Sequence, residues 1–282
     1  MRLEGPSEAI REVFPAEYAE LAVLVTDLGG TTFLMVLLAV LFWLSRRRET
    51  ALVASYAVAG LGLLMVLKAL FDLPRPPEEL FLASMDDDPY GFPSGHAFAA
   101  VVVYGGLLVA FERLREPLAV AGVGSLVVLV SLSRVVLGYH YLGDVIVGAA
   151  VGIAFLAAMF RTVSEPRIGF AVGLVLALPA IAATGAAEET LLGLGAAIGG
   201  LVGTWRLDSA PPLRSRAEGA LLAVAGLAFL TAMTAMESWI AVTAPATVAT
   251  YAVTIAGIFL LPVLLARVGI ERPVIRGGSR PG

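Results

Sequence analysis

Apolar residues run through this chain in long blocks, not in the alternating rhythm of a helix with one wet face. Nine such blocks lie between clusters of charge, near residues 28–45, 51–71, 94–111, 117–134, 142–160, 168–185, 190–205, 219–238 and 244–266. A helix needs roughly 17–25 apolar residues to cross a bilayer. The pattern therefore predicts an all-α, polytopic transmembrane bundle of about nine spans. The partly apolar stretch 16–27 predicts an interfacial helix or an extension of the first span.

Composition strengthens that reading. Hydrophobic residues make up 59% of the chain and charged residues 15%, whereas soluble domains carry about 25% charged residues. Cysteine is absent, which excludes disulfides, thiolate metal ligands and cysteine nucleophiles. The opening MRLEGPSEAIREVFPAEYAEL is acidic. It lacks the basic region and apolar core of a cleaved signal peptide, so residues 1–27 are expected to form an extracytoplasmic or interfacial segment.

Charge sets the expected orientation. With the N-terminus outside, fourteen of the 19 Lys and Arg residues fall on the inner side, from Arg46 to Arg280. Five fall outside: Arg2, Arg11, Lys68, Arg75 and Arg134. Basic residues gather on the cytoplasmic side of short loops, so the cations outside call for another reason, such as a bound anion.

Three stretches on that outer side hold both histidines of the chain. KALFDLPRPPEE supplies Lys68 and Arg75, PSGH supplies Ser94, Gly95 and His96, and SRVVLGYHYLGD supplies Ser133, Arg134, His140 and Asp144. Each cation gains roughly 4 kcal/mol from a unit negative charge about 4 Å away at an effective dielectric near 20. Arginine presents a fork of donors that matches phosphate oxygens. A helix starting at PSGH would add free amides and the positive end of its dipole, with Pro93 in its first turn. His140 and Asp144, four apart, would share a helix face, and the carboxylate could hold one ring nitrogen while the other attacks. His96 could protonate a leaving oxygen. Transport or binding of an anionic lipid would use the same cradle without the chemistry.

Taken in order and with their spacing, Lys68-x6-Arg75-Pro76, Pro93-Ser94-Gly95-His96 and Ser133-Arg134-x5-His140-x3-Asp144 resemble the three signature motifs of the type 2 phosphatidic acid phosphatase (PAP2) superfamily. That superfamily also contains polyprenyl-diphosphate phosphatases and vanadium haloperoxidases. The resemblance covers roughly residues 28–160 and implies a six-helix core. It implies a phosphohistidine on His140 supported by Asp144, His96 as general acid, and phosphate held by Lys68, Arg75, Ser94, Gly95 and Arg134. Ser133 would be accessory. No metal and no cofactor are implied.

The expectations are therefore these. Residues 28–167 form the catalytic core, 168–268 add transmembrane helices of unassigned role, and 269–282 form a basic cytoplasmic tail. The protein is a multi-pass cell-membrane hydrolase acting on a lipid phosphate or diphosphate, such as a polyprenyl diphosphate or phosphatidic acid, at the extracytoplasmic face. A lipid phosphotransferase with the same chemistry is the nearest rival. Membrane lipids are expected partners and nucleic acid is not. The Gly148-x3-Gly152 and Gly195-x3-Gly199-x3-Gly203 spacings predict close helix packing; the second could also serve a homo-oligomer. Asp86, Asp87 and Asp88 read as a solvated loop.

Overall fold

Each of the nine expected apolar blocks forms a helix in the computed structural model, which describes residues 2–84, 89–209, 213, 215–240 and 243–267. Two shorter helices precede them, α1 (Glu4–Val13) and α2 (Ala19–Asp27). The nine are α3 (Thr31–Leu44), α4 (Arg47–Phe71), α5 (Gly95–Ala110), α6 (Pro117–Val136), α7 (Leu142–Thr162), α8 (Pro166–Thr184), α9 (Glu188–Thr204), α10 (Arg216–Ile240) and α11 (Ala244–Arg267). Among the described residues the only β contact is an isolated bridge between Pro74 and Tyr90. Asp86–Asp88 and the tail 269–282 lie outside the described residues.

Six of the helices are long and apolar enough to span by themselves: α4, α6, α7, α8, α10 and α11. α3 reaches span length only together with residues 16–27, across a 47° bend. That bend sits at Gly29 and Gly30, and Gly29 abuts the backbone of His96. α5, Gly95–Ala110, falls short of span length. A π turn at Val101–Gly105 interrupts its regular pitch. Nearby, Tyr104 donates its hydroxyl proton to the Leu28 carbonyl at 2.6 Å.

Helix starts follow from local chemistry. α6 and α8 each open on a proline, which loses nothing at a position whose amide has no partner within the helix. The interior Pro262 of α11 is different, because it removes the donor that would satisfy the Ile258 carbonyl. The Trp43 indole of α3 donates to that carbonyl at 3.0 Å. An unpaired carbonyl in an apolar interior costs free energy, so Trp43 ties α3 to α11 at the one place where α11 requires a donor.

Both glycine spacings are packing seams inside the fold. A Cβ at Gly148 would lie 2.5 Å from the Ser94 carbonyl, and Gly152 meets the Phe98 carbonyl and Val101, so α7 lies against α5. Cβ atoms at Gly195 and Gly199 would fall 2.5 and 2.3 Å from the backbone of α11, and Gly203 meets Phe259. The second stripe is thus occupied by α11 of the same chain, which leaves it no free face for an oligomer contact.

Candidate active site

The expected site residues meet at one end of the bundle, where α4 and α6 finish and α5 and α7 begin. Lys68 is buried on the last turn of α4, and Arg75 is in the loop that follows. Ser94 caps α5, Gly95 and His96 open it, and Ser133 and Arg134 close α6. His96 lies within electrostatic reach of Arg134, His140, Lys68 and Arg75. Backbone contact locks two of the stretches together: the Ser94 amide donates to the Asp144 main-chain carbonyl at 3.1 Å.

His140 occupies the tight loop between α6 and α7. The amides of Tyr139 and His140 both donate to the Arg134 carbonyl, at 3.0 and 3.2 Å. The turn needs Gly138 at φ +83, and a Cβ there would collide with the Leu80 carbonyl at 2.2 Å. The ring itself is fully enclosed. Nδ1 lies 2.8 Å from the Gly91 carbonyl oxygen. A carbonyl only accepts, so Nδ1 carries the proton. Nε2 lies 3.2 Å from Arg75 Nη1. A guanidinium only donates, so Nε2 presents its lone pair. The two contacts demand the same tautomer, one whose free nitrogen faces the cations. Burial pushes the His140 pKa down to about 3, helped by Arg134 and Arg75 and opposed by Asp144. The ring is therefore neutral at neutral pH.

Asp144 departs from the expected arrangement. His140 precedes α7 and Asp144 lies in its first turn, so the two do not share a helical face. The capping turn brings them together instead, because the Tyr141 amide donates to Asp144 Oδ2 at 2.8 Å. Asp144 Oδ2 stands 3.6 Å from His140 Nδ1, farther than the Gly91 carbonyl. The carboxylate's main partner is Arg2, whose Nε and Nη2 donate to Oδ1 and Oδ2 at 2.8 and 2.7 Å.

Arg2 is the functional-site residue that sequence reasoning missed. Besides Asp144, its guanidinium donates to the Pro74 carbonyl at 2.6 Å and the Gly91 carbonyl at 3.3 Å. It also stacks over the Tyr141 ring, 4.7 Å to the centroid. Its own carbonyl accepts from the Gly143 amide at 2.9 Å, and Ser7 Oγ accepts from the Leu142 amide at 2.8 Å. Arg2 and Ser7 thus build the N-terminal segment into the site, and it does not simply rest on the interface. One signal was available: Arg2 is among the cations on the side that the charge rule disfavours.

The remaining residues divide. The Arg134 guanidinium is buried, donates to Thr26 Oγ1 at 3.3 Å and lies over the Tyr139 ring at 4.5 Å. The Ser133 hydroxyl donates to the Val130 carbonyl of its own helix at 2.8 Å, a structural use. Pro93 lies one residue ahead of the cap and not in the first turn. The Ser94 hydroxyl is buried with no hydrogen-bond partner among the described residues. Buried hydroxyls are normally paired, so this one suits an anion.

Three cations, a helix start, an unpaired hydroxyl and a neutral imidazole with an inward lone pair can hold a phosphate and attack it. In comparison with known proteins, residues 48–168 match the PAP2 superfamily. This part of the chain belongs to the PAP2 superfamily. The protein is accordingly a phosphatase. It is also similar to phosphatidylglycerophosphatase B of Bacillus subtilis (strain 168), 27% identical over 139 residues that cover 46% of this chain and 67% of that protein. No solved structure matches the chain. The PAP2 match begins after Arg2 and ends at the start of α8. Both Arg2 and the last three helices therefore lie outside it.

Proposed function

We propose that this PAP2 core hydrolyses a lipid phosphate or diphosphate through a phosphohistidine on His140, at the extracytoplasmic face of the cell membrane. The observation that carries the mechanism is the pair of contacts on the His140 ring, Gly91 on Nδ1 and Arg75 on Nε2. Nε2 attacks phosphorus in line with the ester oxygen, forming the N–P bond as the P–O bond breaks. His96 gives its proton to the departing oxygen. Lys68, Arg75, Arg134, the Ser94 hydroxyl and the amides at Gly95 and His96 hold the non-bridging oxygens. Water then attacks phosphorus, His96 takes its proton back, and the N–P bond breaks to release phosphate and restore His140.

Asp144 stabilises the proton on Nδ1 as charge develops on the ring, and Arg2 keeps the carboxylate in place. The Gly91 carbonyl fixes the ring plane. No step calls for a metal. For the face, the support is charge: Arg46, Arg113, Arg161 and Arg167 fall at the end of the bundle opposite the site, and such residues gather on the cytoplasmic side. Substrates worth trying are polyprenyl diphosphates, phosphatidic acid and phosphatidylglycerol phosphate.

The deciding experiment measures phosphate release from these lipids in detergent with EDTA, comparing wild type with His140→Ala. Loss of rate on the order of 10⁴–10⁶-fold is expected when a covalent nucleophile is removed. An active His140→Ala protein would end the phosphohistidine reading. The face is tested separately with Ser84→Cys, an exposed position beside the site loop. A membrane-impermeant thiol reagent should label it in intact cells; labelling only after lysis would put the site on the cytoplasmic side.

A further inference from the structure

A cavity of about 230 Å³ opens directly beneath Lys68, Gly95 and His96 and follows α4 down through the bundle. On α4 it is lined by Thr50, Ala54, Ala57, Leu61, Leu64 and Lys68. Steps of four and three residues trace one stripe along a helix, so the cavity follows a single face of α4. From Thr50 to Lys68 that stripe rises about 27 Å, nearly the full ~30 Å of a hydrocarbon core.

Polarity is graded along the shaft. The lining side chains Thr31, Lys68, His96 and Glu189 cluster at the site end. Below them the wall is apolar until Thr50. Facing α4, part of the wall comes from α3 and α5 and the rest from helices beyond the PAP2 match. Leu192 and Ala196 of α9 line it, as do Ile255, Ile258 and Phe259 of α11. At the deep end Phe259 meets Phe42 with ring centroids 4.9 Å apart and Phe170 at 5.6 Å. Trp43 anchors this floor through the Ile258 carbonyl.

We propose that α9 and α11 complete a shaft for one extended hydrocarbon tail of the substrate, and that Ala196 and the Phe42–Phe170–Phe259 floor limit the tail it accepts. The occupant follows from continuity and polarity: Lys68 and His96 line the same cavity as the apolar wall, so an anionic head held there sets its apolar remainder at the mouth of the shaft. Depth adds a preference. The shaft passes the bilayer midplane at about 15 Å, so a single long chain fills it better than tails of one-leaflet length. The proposal rests on the lipid-phosphate reading above, and its test is arranged to separate the two.

A hexadecyl phosphate carrying a diazirine at its methyl end is photolysed with full-length wild type and with His140→Ala, and the adducts are mapped by mass spectrometry. Adducts on Ala196, Ile258 or Phe259, suppressed by excess unmodified hexadecyl phosphate, are expected. Adducts confined to lipid-facing positions such as Leu178 and Val253, which are exposed, would overturn the shaft. In a second arm, Ala196→Phe and Ala54→Phe narrow the shaft from opposite walls. The kcat/KM ratio of hexadecyl to hexyl phosphate should fall on the order of tenfold or more, as pocket fit allows. An unchanged ratio in both variants would overturn the selectivity role. If wild type releases phosphate from neither ester, the phosphatase reading fails, while the adduct map still decides whether the shaft takes a tail.

Discussion

The surroundings of His140 and the seam between α9 and α11 are both buried and closely fitted, yet they hold together by opposite means. Around His140 the contacts are largely polar, and several reach across the sequence. Arg2 pairs with Asp144 over 142 positions, and Gly91 reaches His140 over 49. The seam is built from glycine against backbone and against an aromatic ring, as where Gly199 faces Ala252 and Gly203 faces Phe259. A polar cluster of this kind fixes directions, because a guanidinium fork and a carbonyl accept only one geometry. An apolar seam fixes distance, because close-packed atoms leave no room for an added methyl group. Chemistry needs the first and a tail-sized shaft needs the second.

Perturbing each region should therefore produce different losses. After His140→Ala itself, the largest is expected for Asp144→Asn, which keeps the shape but removes the charge that supports protonated Nδ1. Turnover should drop on the order of 10²–10⁴-fold with substrate still bound. An unchanged kcat in a phosphate-release assay would remove Asp144 from the mechanism. Next is Arg2→Gln, which should lower kcat by roughly 10–100-fold, as loss of an orienting partner does, with a smaller change in KM. Breaking one side of a buried pair also costs stability, about 3–5 kcal/mol, so unfolding in detergent is followed alongside. Partial recovery of kcat in Arg2→Lys would mark positioning. Equal loss in both variants with a normal melting curve would argue that only the two-pronged contact suffices, whereas a KM effect alone would place Arg2 in binding.

The smallest effect on catalysis is expected from Gly199→Leu, which forces α9 away from α11. Overpacking of this kind costs about 1–3 kcal/mol, seen as a lower melting temperature. Hydrolysis of a short, water-soluble phosphate ester should persist near the wild-type rate. If that rate fell with the melting temperature, the two regions would be one cooperative unit and the contrast between them would fail.

Much of this was legible from residue order. The nine blocks became nine helices because a helix satisfies every backbone group within one apolar segment, although among the described residues only six are long enough to span by themselves. The three motifs named their site residues because ionisable groups beside membrane spans are costly unless used. Other features were hidden. The glycine stripe of α9 looked free to pair with another copy, but α11 covers it. The proximity of His140 to Asp144 was anticipated for a different reason from the one observed, a capping turn in place of a shared helix face.

What the amino-acid sequence determined by itself was the all-helical membrane architecture, the superfamily and the identity of the ionisable groups that gather at one end of the bundle. Those are set by local hydrophobicity and by side-chain chemistry, which travel with each residue. Tertiary structure alone decided which nitrogen of His140 is free, what holds Asp144, and what encloses the space below Lys68. The first depends on the Gly91 carbonyl, the second on Arg2 and the third on α3, α5, α9 and α11. Each is a contact between distant segments, one of them a backbone atom that every residue type possesses, so no pattern of residue types along the chain could announce it.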